Sequence, residues 1–304
     1  MIHLEDRDVA DLLDLRATTD ALEAAFAELE RGEAATTTRV RAAAGGAMAS
    51  AMAAVVPGAG IGGGKLYGTH PGGFSFVVAL FAIDGGVLCT LDGDMLTRIR
   101  TAAATALAVR HLAPAGVRMA ALFGTGNQSR WQARALAQEL ELDELRIWGR
   151  SVEPVDELVA WAREQGLPAR ALRDPGDTVD GAGVVVAVTS SYTPVFPGDR
   201  LGEDVLVCGV GSTKAERREL DGATVARAAL IVTDSREGAV VECGDLIHAA
   251  DEGLVDLAEL SELSDVVGGR IAPPERGLVL FESQGIALED VVAAGLAYRA
   301  WTQR

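Results

Sequence analysis

The sequence is poor in several residue types. Aromatics make up 5% of the chain, there are three cysteines and four histidines, and 27 basic residues stand against 44 acidic ones. Each scarcity excludes something. Cys89, Cys208 and Cys243 are odd in number and far apart, which suits neither a disulfide framework nor a metal-ligand spacing. His3, His70, His111 and His248 form no HxxxH pair, so no metal site is expected. A formal charge of −17 opposes a nucleic-acid backbone and an anionic membrane surface. Neither partner is expected, whereas an anionic small molecule is admissible wherever a local site is cationic. The opening "MIHLEDRDVADLL" carries acids where a secretion signal needs an apolar segment. A reducing, cytoplasmic setting is expected.

What is present is apolar surface. The chain has 304 residues, 49% of them hydrophobic, enough for one large domain or two ordinary ones with real cores. Its uncharged run from Ala42 to Gly64 is long enough to span a bilayer. It is mostly Ala and Gly, contains Pro57 and has no leucine, so it is expected as a buried, closely packed segment instead. The run leads into "GIGGGKLYG", where Lys65 is the single cation. A phosphate-binding loop fails there, because Ala59 stands where a glycine is needed and Leu66 where a hydroxyl is needed. A lysine in such surroundings is costly without a partner or a role. Lys65 is therefore the candidate acid/base, and its glycines are expected to let ligands approach the backbone. Arg39, Arg41, Arg98 and Arg100 are the guanidinium candidates for a carboxylate. His70, close to Lys65, reads as a loop residue.

Helix and strand signals give an order. Asp20 and Glu23 make a capping-box spacing that predicts a helix over Ala21–Arg31. "FSFVVALFAI" and "VLCTL" around "DGG" predict a hairpin, and a helix is expected from Leu96 to Leu112. Beyond Gly116, the apolar segments 117–123, 145–149, 184–188, 205–209 and 229–233 alternate with helical stretches. That alternation predicts an α/β fold with a Rossmann-type, doubly wound parallel sheet. A last helix is expected over Leu288–Trp301. "ALFGTGNQS" is the strongest local signal: an apolar strand ends at Phe123, Gly124 and Gly126 turn the chain, and a helix begins. Glycines there let a pyrophosphate approach, and the helix start supplies N–H donors. Ser129 replaces the third glycine of the usual fingerprint. The next strand ends "IWGRS", with Arg150 and Ser151 where an acid would favour NAD, so NADP is expected, with NAD admissible. Ser190 and Ser191 lack a G-x-S-x-G elbow and are expected to line the cofactor cleft.

Taken together, "GGGKLYGTHPG", "LDGDMLTRIRTAAATALAVRHLA", "LFGTGNQS", "RIWGRS", "AVTSSYTPVF", "RRELD", "VTDSREGAVVECGDL" and "FESQGIALEDVVAAGLAY" resemble, in order, the ornithine cyclodeaminase/mu-crystallin family. The resemblance covers the chain from about Arg39 to Trp301. It implies a Rossmann domain over 114–289 and a smaller α+β domain over 1–113 and 290–304 that binds substrate and makes a homodimer. It implies that Lys65 acts as acid/base and that Arg39 and Arg100 hold a substrate carboxylate. Thr101, Gly124, Thr125, Gly126, Asn127, Gln128, Arg150, Ser151, Thr189, Ser190 and Ser283 would face the cofactor. Cyclodeaminases carry an acid in the loop before "EL"; here Thr213 stands in that place, with Lys214 beside it as a further substrate-binding candidate. The departure favours the branch that reduces small imino acids or ketimines, or runs the reverse, over the ammonia-releasing lyase or a non-catalytic binding protein.

Overall fold

The computed structural model describes residues 2–70 and 73–304. In chain order the elements begin with β1 (Ile2–Leu4), α1 (Asp6–Leu12), α2 (Leu15–Glu30), β2 (Ala35–Thr36), β3 (Val40–Ala44), β4 (Ala47–Val56), β5 (Ile61–His70), β6 (Gly73–Ala82), β7 (Val87–Asp92) and α3 (Asp94–Leu112). They continue with β8 (Met119–Phe123), α4 (Ser129–Glu139), β9 (Glu144–Trp148), α5 (Val152–Glu164), β10 (Ala169–Ala171), α6 (Pro175–Val179), β11 (Val184–Ala187) and β12 (Val205–Gly209). The last are α7 (Gly222–Ala226), β13 (Ala228–Thr233), α8 (Arg236–Glu242), α9 (Gly244–Asp251), β14 (Ser261–Glu262), α10 (Leu263–Val267), β15 (Leu278–Glu282) and α11 (Ala287–Thr302).

Two compact units result. The first holds residues 1–107, 267–270 and 285–304; the second holds 108–266 and 271–284. The end of α3, residues 267–270 and residues 285–289 thus fall differently from the division drawn on the sequence.

In the first unit a seven-stranded sheet runs β1-β7-β6-β5-β4-β2, with β3 also paired to β4. β4, β5, β6 and β7 are successive antiparallel neighbours. Strand alternation gives the sheet two faces. On one face Met52, Lys65 and Val78 lie in register, and all three are buried. The helix α11 packs against β4, β5 and β6, and against α2. On the other face Ala51, Leu66 and Val77 form one row and Val55, Gly62 and Phe81 another, with the Ala53, Gly64 and Ala79 row between them. There Val55, Leu66, Val77 and Phe81 are 37–53% exposed.

The uncharged run is therefore not a uniformly buried segment. β3 is exposed along its whole length, and β4 has its buried positions on one face only. The run forms strands because each pairs with a neighbour, and small side chains suffice at its exposed positions.

The first long helix also differs from expectation. α2 begins at Leu15, and its N-cap is Asp14, whose side chain accepts the Ala17 N–H. Asp20 and Glu23 lie inside it. Thr18 and Thr19 bond back to the Asp14 and Leu15 carbonyls and are buried.

In the second unit an eight-stranded sheet has the order β10-β9-β8-β11-β12-β15-β13-β14, and every pairing is parallel. The order reverses at β8, the topological switch of a doubly wound sheet. Its strands are near-continuous Val, Ala, Leu and Phe because both faces are covered. No helix among the described residues is long and apolar enough to cross a membrane.

Candidate active site

Lys65 sits in the middle of β5 on the face covered by α11, and 2% of its surface is exposed. Its Nζ donates to Asp290 Oδ1 at 3.1 Å and to Thr97 Oγ1 at 2.6 Å. It also stands 4.6 Å from the centroid of Phe76 and 6.0 Å from that of Tyr67, where ring quadrupoles favour a cation. Asp290 lies in the first turn of α11 and is fully buried. Burial pulls the lysine down from its usual 10.5 to about 8. The Asp290 carboxylate opposes that fall, while the Arg100 and Arg39 guanidiniums add to it. The result is an ammonium that gives up its proton readily near neutral pH.

The expected arginines surround this lysine in different ways. Arg100 is 6% exposed; its Nε donates to Asp290 Oδ1 at 3.0 Å and its Nη1 to Glu289 Oε2 at 2.6 Å. Both carboxylates are fully buried. Arg39 is half-buried, and its Nη2 donates to the Gly285 carbonyl at 2.8 Å. Its guanidinium lies 6.0 Å from the Tyr67 centroid. Gly285 arranges both arginines. Its carbonyl receives Arg39, and a Cβ on it would come 2.5 Å from Arg100 Nη1. Arg41 is exposed, and Arg98 pairs with Asp94 one turn earlier in α3. His70 ends β5 exposed, and its odd spacing from Lys65 puts it on the opposite face.

The glycines beside Lys65 do something other than open a path to ligand. Gly62 and Gly64 lie on the outer face with Leu66; Gly63 faces inward, where a Cβ would fall 2.3 Å from the Ala79 carbonyl. Close strand packing explains that position. Pro71 and Gly72 lie outside the described residues.

In the second unit, β8 delivers the chain to Gly124 with φ +120°, where a Cβ would meet the Val188 carbonyl at 2.5 Å. Only glycine fits, and the turn brings Gly124 and Thr125 beside Gly149 and Thr189. Gly126 is different: it is exposed, and a Cβ there would meet nothing. No side chain caps α4, whose N-cap is Gln128. Asn127 is exposed and Thr125 half-buried. Arg150 is exposed after β9, and Ser151 is the N-cap of α5 without spending its hydroxyl on the helix. An open glycine, an uncapped helix start and an exposed arginine beside a hydroxyl fit a dinucleotide phosphate.

Thr189 is half-buried and Ser190 exposed beyond β11, and Ser191 N–H donates to Thr189 Oγ1. Ser283 follows β15; its hydroxyl donates to Asp234 Oδ2 at 3.1 Å. Thr101 is buried in α3, in the first unit, and Lys214 is half-buried in the loop after β12, in the second. The structure thus clusters Lys65, Arg39 and Arg100 in one unit, and gathers Gly124, Thr125 and Thr189 in the other.

The sequence reading missed the acids. Asp290 and Glu289 stand within the quoted "FESQGIALED" stretch and are given no role there. Glu219, Asp245 and Glu282, all fully buried in the second unit, are likewise given no role. Burial, then the Asp245 carboxylate, pushes Glu219 up to about 7, and burial pushes Asp245 to about 6. Glu282 is raised well above the carboxylate range for the same first reason, and Cys243 Sγ donates to it at 3.3 Å. The neighbouring glycines were the available signal, since Gly209 and Gly211 make room for the Glu282 and Glu219 carboxylates.

The model of the ornithine cyclodeaminase/mu-crystallin family matches residues 2–304. The iminosuccinate reductase of Paracoccus denitrificans is 30% identical, over 97% of this chain and 94% of its own. Its crystal structure in complex with NAD+ superposes with a TM-score of 0.94 at 29% identity, covering 100% of this chain and 97% of that one. The ketimine reductase mu-crystallin of Rattus norvegicus is 31% identical over 72% of this chain and 67% of its own. A structure described as a probable ornithine cyclodeaminase from Bordetella pertussis has a TM-score of 0.93 at 39% identity, covering 100% of this chain and 98% of that one.

Proposed function

Because the chain belongs to the ornithine cyclodeaminase/mu-crystallin family, we propose that it is a nicotinamide-dependent oxidoreductase acting on a C–N bond. It reduces an α-imino acid or a cyclic ketimine carboxylate to the amino acid, or runs the reverse. The observation that carries this reading is Lys65: a buried ammonium with a proton affinity brought down to about 8, held by Asp290 and Thr97. A protein that only carries a ligand needs no such proton donor. The curated relatives that share this family act on imines, as their names state.

Arg39 holds the substrate carboxylate through charge-assisted hydrogen bonds. Lys65 gives its proton to the imine nitrogen and takes one back from solvent afterwards. Arg100 with Glu289 and Asp290 holds that lysine in place. The bound dinucleotide supplies the hydride that reaches the imine carbon. NADP is the preferred form, supported by Arg150 and Ser151 at the end of β9 and by the lack of an acid there. The turn at Gly124–Gln128 and the residues Thr101, Thr189, Ser190 and Ser283 complete the cofactor contacts, with Lys214 on the substrate side. The protein works as a homodimer, in which a second copy covers the outer face bearing Val55, Leu66, Val77 and Phe81.

The 39% identical neighbour described as a probable ornithine cyclodeaminase supports a second reading, a lyase. One experiment separates them. NADPH oxidation is followed with small cyclic imino acids and with imines formed from keto acids and ammonia, and ammonia is assayed with ornithine. Net NADPH consumption is expected; ammonia release without net consumption means the lyase. Lys65→Ala should reduce imine turnover by ~10²–10⁴-fold. Wild-type turnover in that variant removes Lys65 as the acid.

A further inference from the structure

One buried side chain ties two loops together in the second unit. Glu219 is fully buried; its Oε1 accepts the Thr189 N–H at 2.5 Å and its Oε2 the Gly211 N–H at 2.6 Å. Thr189 follows β11 and Gly211 follows β12, which are adjacent parallel strands. Both residues therefore stand beyond the carboxyl ends of the sheet, where open α/β sheets receive their ligands.

The tie is supported from its far side. Asp245 Oδ1, at the start of α9, accepts the N–H groups of Glu219 and Leu220 at 2.7 and 2.8 Å. The Asp245 N–H in turn donates to Ser212 Oγ at 3.0 Å. The neighbouring backbone is shaped around the same carboxylate. A Cβ on Gly211 would fall 2.1 Å from the Thr189 carbonyl oxygen and 2.6 Å from Glu219 Oε2. A carboxylate on a solvated surface needs none of this, and burying one is costly unless both oxygens are used.

We infer that Glu219 is a positioning residue that holds the Thr189 and Gly211 loops in the shape that receives the nicotinamide dinucleotide, setting cofactor affinity while touching no reacting atom. The inference rests on the nicotinamide-dependent reading given above. Its chemistry is specific to a carboxylate. Two acceptor oxygens meet two main-chain N–H donors, whereas an amide has one acceptor oxygen and an NH₂ that confronts the other donor. Glu219→Gln keeps the size and loses one of the two ties.

The test measures NADPH dissociation constants by fluorescence titration, with steady-state kinetics of NADPH oxidation on an imine substrate, for the wild-type protein and Glu219→Gln. Solutions are held at about pH 8, where the wild-type carboxylate is ionised. A buried donor left unsatisfied is worth a ~10-fold to ~100-fold loss of affinity. Kd and KM for NADPH should rise by that factor in Glu219→Gln. The kcat at saturating cofactor should stay within about threefold, since no transition-state contact is lost. Unchanged Kd and KM for NADPH overturn the inference, and so does a fall in kcat alone. Should Glu219→Gln fail to fold, hydrogen exchange in the cofactor-free wild type decides: slow exchange at both Thr189 and Gly211 supports the tie, and fast exchange at either overturns it. Absence of NADPH and NADH binding to the wild type overturns the functional reading and this inference with it. Normal wild-type binding with an unaffected variant overturns this inference alone.

Discussion

At the scale of single residues, the proposed chemistry turns on how one ammonium is balanced. Burial lowers the proton affinity of Lys65, and Asp290, bonded through the same Oδ1 to Lys65 Nζ and Arg100 Nε, restores part of it. The sign of the pH dependence follows. Below about pH 8 the ammonium is present and reduction should proceed at full rate; above it the acid is lost, and kcat/KM for imine reduction should fall about tenfold per pH unit. The oxidative direction, which needs the free amine as base, should show the mirror limb. Asp290→Asn removes the carboxylate that raises the lysine, so the falling limb should move to lower pH. A pH–rate profile of the variant is the check, and an unmoved limb removes Asp290 from this role. Lys65 could be singled out in the sequence because a lone cation amid alanine and glycine is anomalous. Its partner could not, because Asp290 lies 225 positions away.

At the scale of elements, the β8–turn–α4 unit carries the cofactor argument, and its two glycines are there for different reasons. Gly124 has positive φ and abuts the Val188 carbonyl, so Gly124→Ala should destabilise the fold by about 1–3 kcal/mol. Gly126 meets nothing within the chain, so Gly126→Ala should leave thermal stability within about 0.5 kcal/mol of the wild type. It should weaken dinucleotide binding nonetheless, because the methyl enters space a pyrophosphate uses. Thermal melts beside calorimetric titrations with NADPH separate the two effects, and equal behaviour of the variants removes the distinction. This element was legible because its signal is local: an apolar strand, a glycine turn and a helix within a dozen or so residues. α2 was misread at its start because Asp20 and Glu23 imitate a cap, while the cap that forms is Asp14.

At the scale of the whole molecule, the outer face of the seven-stranded sheet bears exposed Val55, Leu66, Val77 and Phe81. Leu66→Glu places a charge in the centre of that face, which the homodimer would have to bury. Light scattering coupled to size exclusion should find a dimer in the wild type and a monomer in Leu66→Glu; a monomeric wild type removes the dimer. The sequence by itself determined the parallel α/β sheet, the glycine turn after β8 and the oddity of Lys65. Strand periodicity, backbone sterics and the cost of an isolated buried charge all act over a few neighbouring residues. Only the tertiary structure decided that the alanine-rich run is a two-faced antiparallel sheet, that Arg100 is held by carboxylates, and that Glu219 joins two loops. Those outcomes depend on strand pairing and on charge compensation between residues far apart in the chain, where the energy belongs to the pair and neither sequence neighbourhood records it.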